Sequence, residues 1–379
     1  MLEPIYSSLY LLRHLRKGYS GIKAEREKLE KLKSRFPNEY SEFVRFLALR
    51  GEIMQKGNPY SGHVSDWEKL LYLNNAGLDA KINKRMYSNF SAVAKDNVQK
   101  ILSSELFGLD TIKEAVSLQL FCPDQLHILL IGDPGTGKSD ILHAASEISP
   151  ISSFGLGSGT SSAGLTVTQR GREVMPGILP MANGGIACID ELNLMKPQDR
   201  AGLYSSMSKG YVSYDKGGSH FQFPARCSIL AAANPIGDKF GKNMRKQIPF
   251  DPALLTRFHL VFVLRQYSVE DFMKISKKVI EGRRAANQDY GFLMDYIKFS
   301  KSCLPSFSTA FEEQIEKFLY EVKKREKKYF VEITPRFVEG IIRLSKASAR
   351  MRLSNTVEEA DVDKAIRVVR ASLESCTTA

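Results

Sequence analysis

This chain lacks most of what staples or anchors a protein. Its five cysteines are scattered over 379 residues, with no C-x-x-C pair and no zinc-ligand spacing, so neither a disulfide framework nor a zinc module is expected. No apolar run approaches the roughly 20 residues that span a bilayer, so no membrane partner is expected. Glu3 and Pro4 stand where a secretory leader would carry basic residues, and Arg13, Arg16 and Lys17 follow too soon for its apolar core. The expected setting is reducing and intracellular: cytoplasmic, or nuclear in a eukaryote. Tryptophan is nearly missing, with Trp67 alone, and there is no internal repeat or low-complexity tract. Acidic charge is in deficit. Against 54 Lys and Arg stand 42 Asp and Glu, leaving +12, a balance that suits a polyanionic partner. The first hundred residues hold 18 basic and 11 acidic side chains, a surplus of +7; for any single Lys-rich stretch a solvated helical surface accounts for it equally well.

What is present is concentrated in one run, Gly132-Asp133-Pro134-Gly135-Thr136-Gly137-Lys138-Ser139. It fits G-x-x-x-x-G-K-[ST] and follows the apolar stretch Leu126 to Ile131, giving the order strand, glycine loop, helix. Glycines let a backbone wrap a phosphate with its N–H groups turned inward. Lys138 adds charge for the β- and γ-phosphates, Ser139 offers a hydroxyl to Mg²⁺, and the helix starting near Lys138 presents its positive end to the same anion. The chain is expected to bind ATP with Mg²⁺.

Three regions are expected. Residues 1–95 read as a helical N-terminal domain, with Glu25 to Leu32, Tyr40 to Arg50 and Trp67 to Leu73 as helices. Residues 96–266 alternate strands and helices, the pattern of a parallel α/β sheet with helices on both faces; the strands are Leu126–Ile131, Gly185–Ile189, Ser228–Ala233 and Leu260–Leu264. Residues 267–379 read as linker helices and a C-terminal helical lid: Val269–Glu281, Ala310–Arg325, Thr334–Arg352 and Val357–Ser372. Thr334 and Thr356 are the expected N-caps of the last two, Glu359 completing a capping box with Thr356.

Ile186-Ala187-Cys188-Ile189-Asp190-Glu191 is an apolar strand ending in two carboxylates. After a phosphate loop this reads as Asp190 holding Mg²⁺ and Glu191 acting as general base on the attacking water. Asn234, closing Ala231-Ala232-Ala233, can position that water; a turn asparagine before Pro235 is the plainer alternative. Arg257, in Leu254-Leu255-Thr256-Arg257-Phe258, can stabilise transition-state charge on a neighbour's γ-phosphate, or serve as a surface ion-pair residue.

Together, residues from about Leu102 to Leu373 resemble the ATPase core of the minichromosome maintenance (MCM) helicases, a branch of the AAA+ superfamily. GDPGTGKS is similar to the family's phosphate loop, with Gly137 where its members usually have Ala or Ser. GGIACIDELNLMKPQDR is similar to its Walker B segment, AAANP to sensor 1, and LLTRF to the arginine-finger string, with His259 in place of the usual Asp. The stretch from Ile333 to Leu373 resembles the family's lid, and implies that Arg336 is the sensor 2 arginine. Gly155 to Arg170 resembles the helix-2 insertion and Gly210 to Phe221 the pre-sensor 1 hairpin, both facing the channel of a ring. There Lys216 corresponds to the channel lysine, with Asp215 beside it as a departure, and Arg226 to a further basic position; both are implied DNA contacts. The family precedes this core with an oligonucleotide-binding barrel, whereas here the preceding residues read as helical.

The resemblance implies an ATP hydrolase that translocates on or unwinds single-stranded or forked DNA as a hexameric ring, with Lys138, Ser139, Asp190, Glu191 and Asn234 from one protomer and Arg257 and Arg336 from the next. An AAA+ remodeller or loader of a protein partner, and a non-helicase homologue of the family, remain open alternatives at this point.

Overall fold

A computed structural model describes residues 87–88, 90–92, 94–102, 109–170, 173–216, 219–241, 243–266, 269, 272–273, 276–277 and 290–377. The chain divides into two compact units, Met1–Phe90 and Ser91–Ala379. Only three of the described residues belong to the first, so the helices expected there lie outside the described residues, as does most of Val269–Glu281.

In the second unit, α1 (Ala94–Leu102) and α2 (Asp110–Phe121) precede β1 (Ile128–Gly132) and α3 (Lys138–Ile148). There follow β2 (Ser152–Leu156), a short α4 (Ser162–Leu165), the strands β3 (Val167–Arg170) and β4 (Glu173–Pro176), α5 (Ile178–Met181) and β5 (Ile186–Asp190). Next come α6 (Ala201–Lys209), β6 (Tyr211–Lys216), β7 (Ser219–Pro224), β8 (Ser228–Ala233), α7 (Pro252–Leu255) and β9 (Leu260–Leu264). The C-terminal helices are α8 (Tyr290–Ser300), α9 (Glu312–Lys324), α10 (Arg336–Met351) and α11 (Glu359–Ser375).

Five strands form one sheet in the order β2-β5-β8-β1-β9, all neighbours parallel. The apolar runs of β1, β5 and β8 are buried along their whole length, as expected of strands covered on both faces. The α/β core with a C-terminal helical region therefore stands as read from sequence. Two differences follow from local chemistry. β2 (Ser-Ser-Phe-Gly-Leu) is an edge strand of intermediate burial, so it carries no apolar run to betray it, and it takes Gly155 and Leu156 out of the expected insertion. The insertion's hairpin, β3–β4, instead extends to Pro176. The second hairpin, β6–β7, runs from Tyr211 to Pro224, longer than the stretch marked in the sequence.

α10 and α11 pack on each other, with α2 against both. The α10 core stripe is Phe337, Ile341 and Leu344, and that of α11 is Val362, Ala365, Val368, Val369 and Leu373, the helical spacing of an amphipathic face. Arg367 Nη2 donates to both oxygens of Glu114 at 2.9 Å, tying α11 to α2. The N-cap of α11 is Glu358, not Thr356: its side chain and that of Asp361 cap each other's backbone N–H groups, and Arg352 joins both carboxylates at 2.8 and 2.9 Å. At α10 the cap position falls on Pro335, with no side-chain bond from Thr334.

The free edge of β9 is covered by α11 through side-chain hydroxyls. Ser372 Oγ accepts from Val261 N at 3.0 Å and donates to Val261 O at 2.8 Å. Ser375 Oγ accepts from Val263 N at 3.0 Å. An edge strand's unpaired groups are otherwise an aggregation template, and here serines stand in for a sixth strand. Ser372→Ala should cost about 1–3 kcal/mol of unfolding free energy in urea titrations, because it strands a buried N–H. Unchanged stability would show that the edge is held by apolar packing alone.

At the opposite end of β1, His127 and His259 lie side by side, ring centroids 5.2 Å apart. His127 Nδ1 accepts from Ile229 N and His259 Nδ1 from His127 N. Burial, with the charges of Arg343 and Arg336 adding to it, pulls the His127 pKa from its ordinary 6.5 down to about 3. The unfolded chain therefore takes up this proton first. Stability should fall as pH drops from about 6.5 towards 3, with a slope reaching roughly 1.4 kcal/mol per pH unit for this group. His127→Gln should flatten that part of a stability-versus-pH curve; an unchanged slope would mean that the pair titrates normally.

Candidate functional site

All five strands of a parallel sheet leave through one edge, and the expected nucleotide residues collect there. Gly132 closes β1, Asp190 closes β5 and Asn234 follows β8. These strands are neighbours in the order β5-β8-β1, with Ile189 beside Ala231 and Ala233 beside Ile131. The carboxylate, the amide and the phosphate loop thus stand on adjacent strands, about 5 Å apart from one to the next.

The loop itself is shaped by Gly135 (φ 76°) and Gly137 (φ 82°), both left-handed, the second serving as N-cap of α3. Ala or Ser at 137 would be strained in this backbone. Lys138 is buried, its Nζ donating to Gly132 O at 2.7 Å and Asp133 O at 2.8 Å. Desolvation pulls its pKa from 10.5 down to about 8, opposed by the charges of Asp190 and Asp133. Thr136 Oγ1 donates to Asp133 O at 2.8 Å and so tightens the turn. Pro134 and Gly135 are exposed, as is Ser139 in the first turn of α3.

The Asp133 side chain makes long-range contacts beyond the loop. Its Oδ1 accepts from Phe240 N at 2.8 Å and its Oδ2 from Gln266 N at 3.2 Å. The buried carboxylate clamps the segment after β8 and the segment after β9 onto the loop. Reading the motif as a string of phosphate contacts missed this, because both partners are distant in sequence.

Asp190 Oδ1 accepts from Glu191 N at 2.8 Å. Glu191 has φ 52° and ψ 38°, left-handed for a residue with a side chain, a strain of the kind concentrated at working sites. Its Oε2 accepts from Ser158 Oγ at 2.9 Å, and Gly157 N donates to Asp190 O at 2.7 Å. A side chain at Gly157 would collide with the Glu191 carbonyl. Ser158 went unrecognised in the sequence, where only its neighbourhood to two glycines marks a close approach. Asn234 N donates to Asn193 Oδ1 at 3.0 Å, fixing the end of β8 against the turn after Glu191.

The two arginines sit at the other edge. Arg257 lies just before β9, whose first residue Leu260 pairs with Ile128 and whose last, Leu264, pairs with Gly132. Four strand steps, about 13 Å, separate the level of Leu260 from that of Gly132. Arg336 Nη1 donates to Arg257 O at 3.2 Å, so the two cations are neighbours, remote from their own phosphate loop. Burial lowers the Arg336 pKa, and the Arg257 charge lowers it further. Arg257 Nη1 donates to Ala253 O, while its Nε is buried with no acceptor.

Lys216 is the last residue of β6, paired with Ser219 at the turn end of the hairpin. Arg226 is at the hairpin's other end: its N donates to Asn183 Oδ1 at 2.9 Å, and its exposed side chain lines a cleft of about 440 Å³ with Lys301 and Arg343. The two expected DNA contacts thus stand at opposite ends of the hairpin.

The residues present fit a nucleotide with Mg²⁺. The loop combines two left-handed glycines, a helix start and a lysine, and Asp190 acts electrostatically on that lysine from the next-but-one strand. Among the described residues no helix is long and apolar enough to cross a membrane, and all five cysteines are free.

Comparison with known proteins bears on the whole arrangement. The MCM P-loop domain matches residues 84–282 and the MCM AAA-lid domain residues 291–373. The chain is 31% identical to the minichromosome maintenance protein MCM of Saccharolobus solfataricus, over 74% of this chain and 45% of that protein. It is 30% identical to DNA replication licensing factor MCM4 of Arabidopsis thaliana, over 79% of this chain and 40% of the other. With DNA replication licensing factor mcm5-A of Xenopus laevis the identity is 29%, over 73% and 43%. The chain therefore spans less than half the length of these relatives.

The clamp at Asp133 can be tested directly. Asp133→Asn turns one acceptor into a donor facing a backbone N–H, and should weaken nucleotide binding about tenfold, roughly 1.4 kcal/mol. A fluorescent-nucleotide titration within twofold of the wild type would show that the clamp does not shape the loop.

Proposed function

The chain belongs to the MCM family, and on that premise we propose that it is a Mg²⁺-dependent ATP hydrolase that assembles as a ring, hexameric in the reading given above, and moves along DNA. The observation that carries this reading is the division of one protomer's site residues between opposite edges of its sheet. Lys138, Asp190, Glu191 and Asn234 serve the nucleotide held by their own chain. Arg257 and Arg336 serve the nucleotide of a neighbour, which a closed ring supplies for every copy.

In this mechanism the phosphate loop and the start of α3 hold the phosphates, and Lys138 turns from its carbonyls to the β- and γ-oxygens. Ser139 and Asp190 would hold Mg²⁺, which would supply positive charge against the phosphates. Glu191, aimed by Ser158, takes the proton of the attacking water, with Asn234 aligning that water. Arg257 from the next subunit meets the charge that develops on the γ-phosphate. Lys216, at the end of its hairpin, contacts DNA phosphates without reading sequence. A soluble setting in cytoplasm or nucleus accords with this activity.

The test is ATP turnover with and without single-stranded DNA. Lys138→Ala should abolish turnover. Glu191→Gln should retain ATP but turn over at least about a hundredfold more slowly, and a wild-type rate would remove the base assignment. DNA should raise wild-type turnover, and Lys216→Ala should remove that rise. Turnover indifferent to DNA would overturn the DNA reading in favour of a remodeller of a protein partner.

A further inference from the structure

The β6–β7 hairpin and Arg257 both leave the sheet at the edge where its strands begin, and one stretch of α6 touches both. The Arg257 guanidinium lies over the Tyr204 ring, 4.6 Å from its centroid. Tyr204 Oη donates to Asp251 Oδ2 at 3.2 Å. Asp251 in turn caps α7, its Oδ1 accepting from Leu254 N at 2.8 Å, and α7 leads straight into Arg257. The ring is thus anchored to the same turn that delivers the arginine.

The next two residues face the hairpin. Ser205 Oγ donates to Tyr211 O at 2.9 Å, at the first residue of β6. Ser206 Oγ donates to Ala225 O at 2.7 Å, just after β7. Gly210 N to Ser206 O and Ala225 N to Gly210 O, each 2.9 Å, close the base. Three consecutive side chains therefore hold the arginine, the first leg of the hairpin and the second.

We propose that Tyr204 is the positioning residue of Arg257 and that Tyr204-Ser205-Ser206 is the link through which the state of the arginine reaches the hairpin. The proposal rests on Arg257 acting on a neighbouring subunit's nucleotide. Arg257 is held by one Nη1 bond, with Nε lacking an acceptor, so its own hydrogen bonds do not fix the guanidinium plane. The aromatic face does, by cation–π attraction to a partly buried ring. When the guanidinium shifts towards an anion it leaves or drags that face. α6 is a single helical piece, short enough to move as a body, with its C-terminal half stapled to both hairpin legs. Position is what such a residue supplies to catalysis: a misplaced charge loses most of its effect on a developing oxyanion.

Steady-state turnover of the full chain tests both halves. Tyr204→Leu should lower kcat about tenfold with KM within about twofold, and Tyr204→Phe, which keeps the ring, should stay within about threefold of the wild type. The double variant Arg257→Ala/Tyr204→Leu should be no slower than Arg257→Ala alone, since both remove one function. Ser205→Ala should keep basal turnover and lose at least about half of the DNA stimulation. Wild-type kcat in Tyr204→Leu, beside an impaired Arg257→Ala, overturns the positioning role. So do losses that multiply in the double variant. Arg257→Ala at the wild-type rate removes the finger reading beneath the proposal. Full DNA stimulation in Ser205→Ala overturns the link. Absence of stimulation in the wild type removes the hairpin reading, and the link with it, while the Tyr204 cycle decides the positioning role on basal turnover.

Discussion

The polarity of the sheet is the constraint on which the rest of the molecule depends. With all five strands parallel, every strand ends at one edge and begins at the other. Groups placed after strands β1, β5 and β8 converge without any loop having to fold back. Groups placed before β9 are committed to the far side by the length of a strand. One topological fact thus gathers the glycine loop, Asp190 and Asn234 at one edge and leaves Arg257 and Arg336 at the other. In the ring proposed above, another copy would bring its complementary edge to this one.

Within the near edge, the arrangement is held by few and costly devices. Lys138 is buried against carbonyls, which desolvates it and lowers its pKa to about 8. An anion arriving at the loop recovers that desolvation cost, so the lysine is a stronger phosphate ligand than an exposed one would be. Glu191 sits in a left-handed backbone that a side-chain-bearing residue adopts at some expense. Removing the strain by substitution would re-aim the carboxylate, and Ser158 is the hydroxyl that holds its present aim.

How far these features could be read from residues alone follows from how local each one is. The phosphate loop, the strand ending in Asp190-Glu191 and the strand ending at Asn234 are contiguous strings whose meaning is carried by neighbours in sequence. They were legible, and so was the α/β core that presents them. β2 was not, because Ser-Ser-Phe-Gly-Leu at a sheet edge has no apolar run. Ser158, Tyr204 and the clamp at Asp133 were not, because each works through partners from Ser158's 33 residues away to Asp133's 133, a separation that no periodicity encodes. The N-cap of α11 moved from Thr356 to Glu358 because a glutamate with an aspartate at the third helical position caps reciprocally, and Arg352 rewards that choice with two ion pairs.

The far edge gathers two cations, Arg257 and Arg336. Arg336 donates to the Arg257 carbonyl; burial lowers the Arg336 pKa, the Arg257 charge lowers it further, and the Glu339 carboxylate opposes both. Arg257 also buries an Nε without an acceptor, a loss comparable to a missing hydrogen bond. Within one chain nothing at this place offers a compensating phosphate, since its own loop is at the other edge. On the ring reading, a neighbour's γ-phosphate is the group that relieves both costs at once. The relief appears only when nucleotide and neighbour are present together, so each must strengthen the other's binding by the same factor. On that reading ATP would tighten the ring and the ring would tighten ATP.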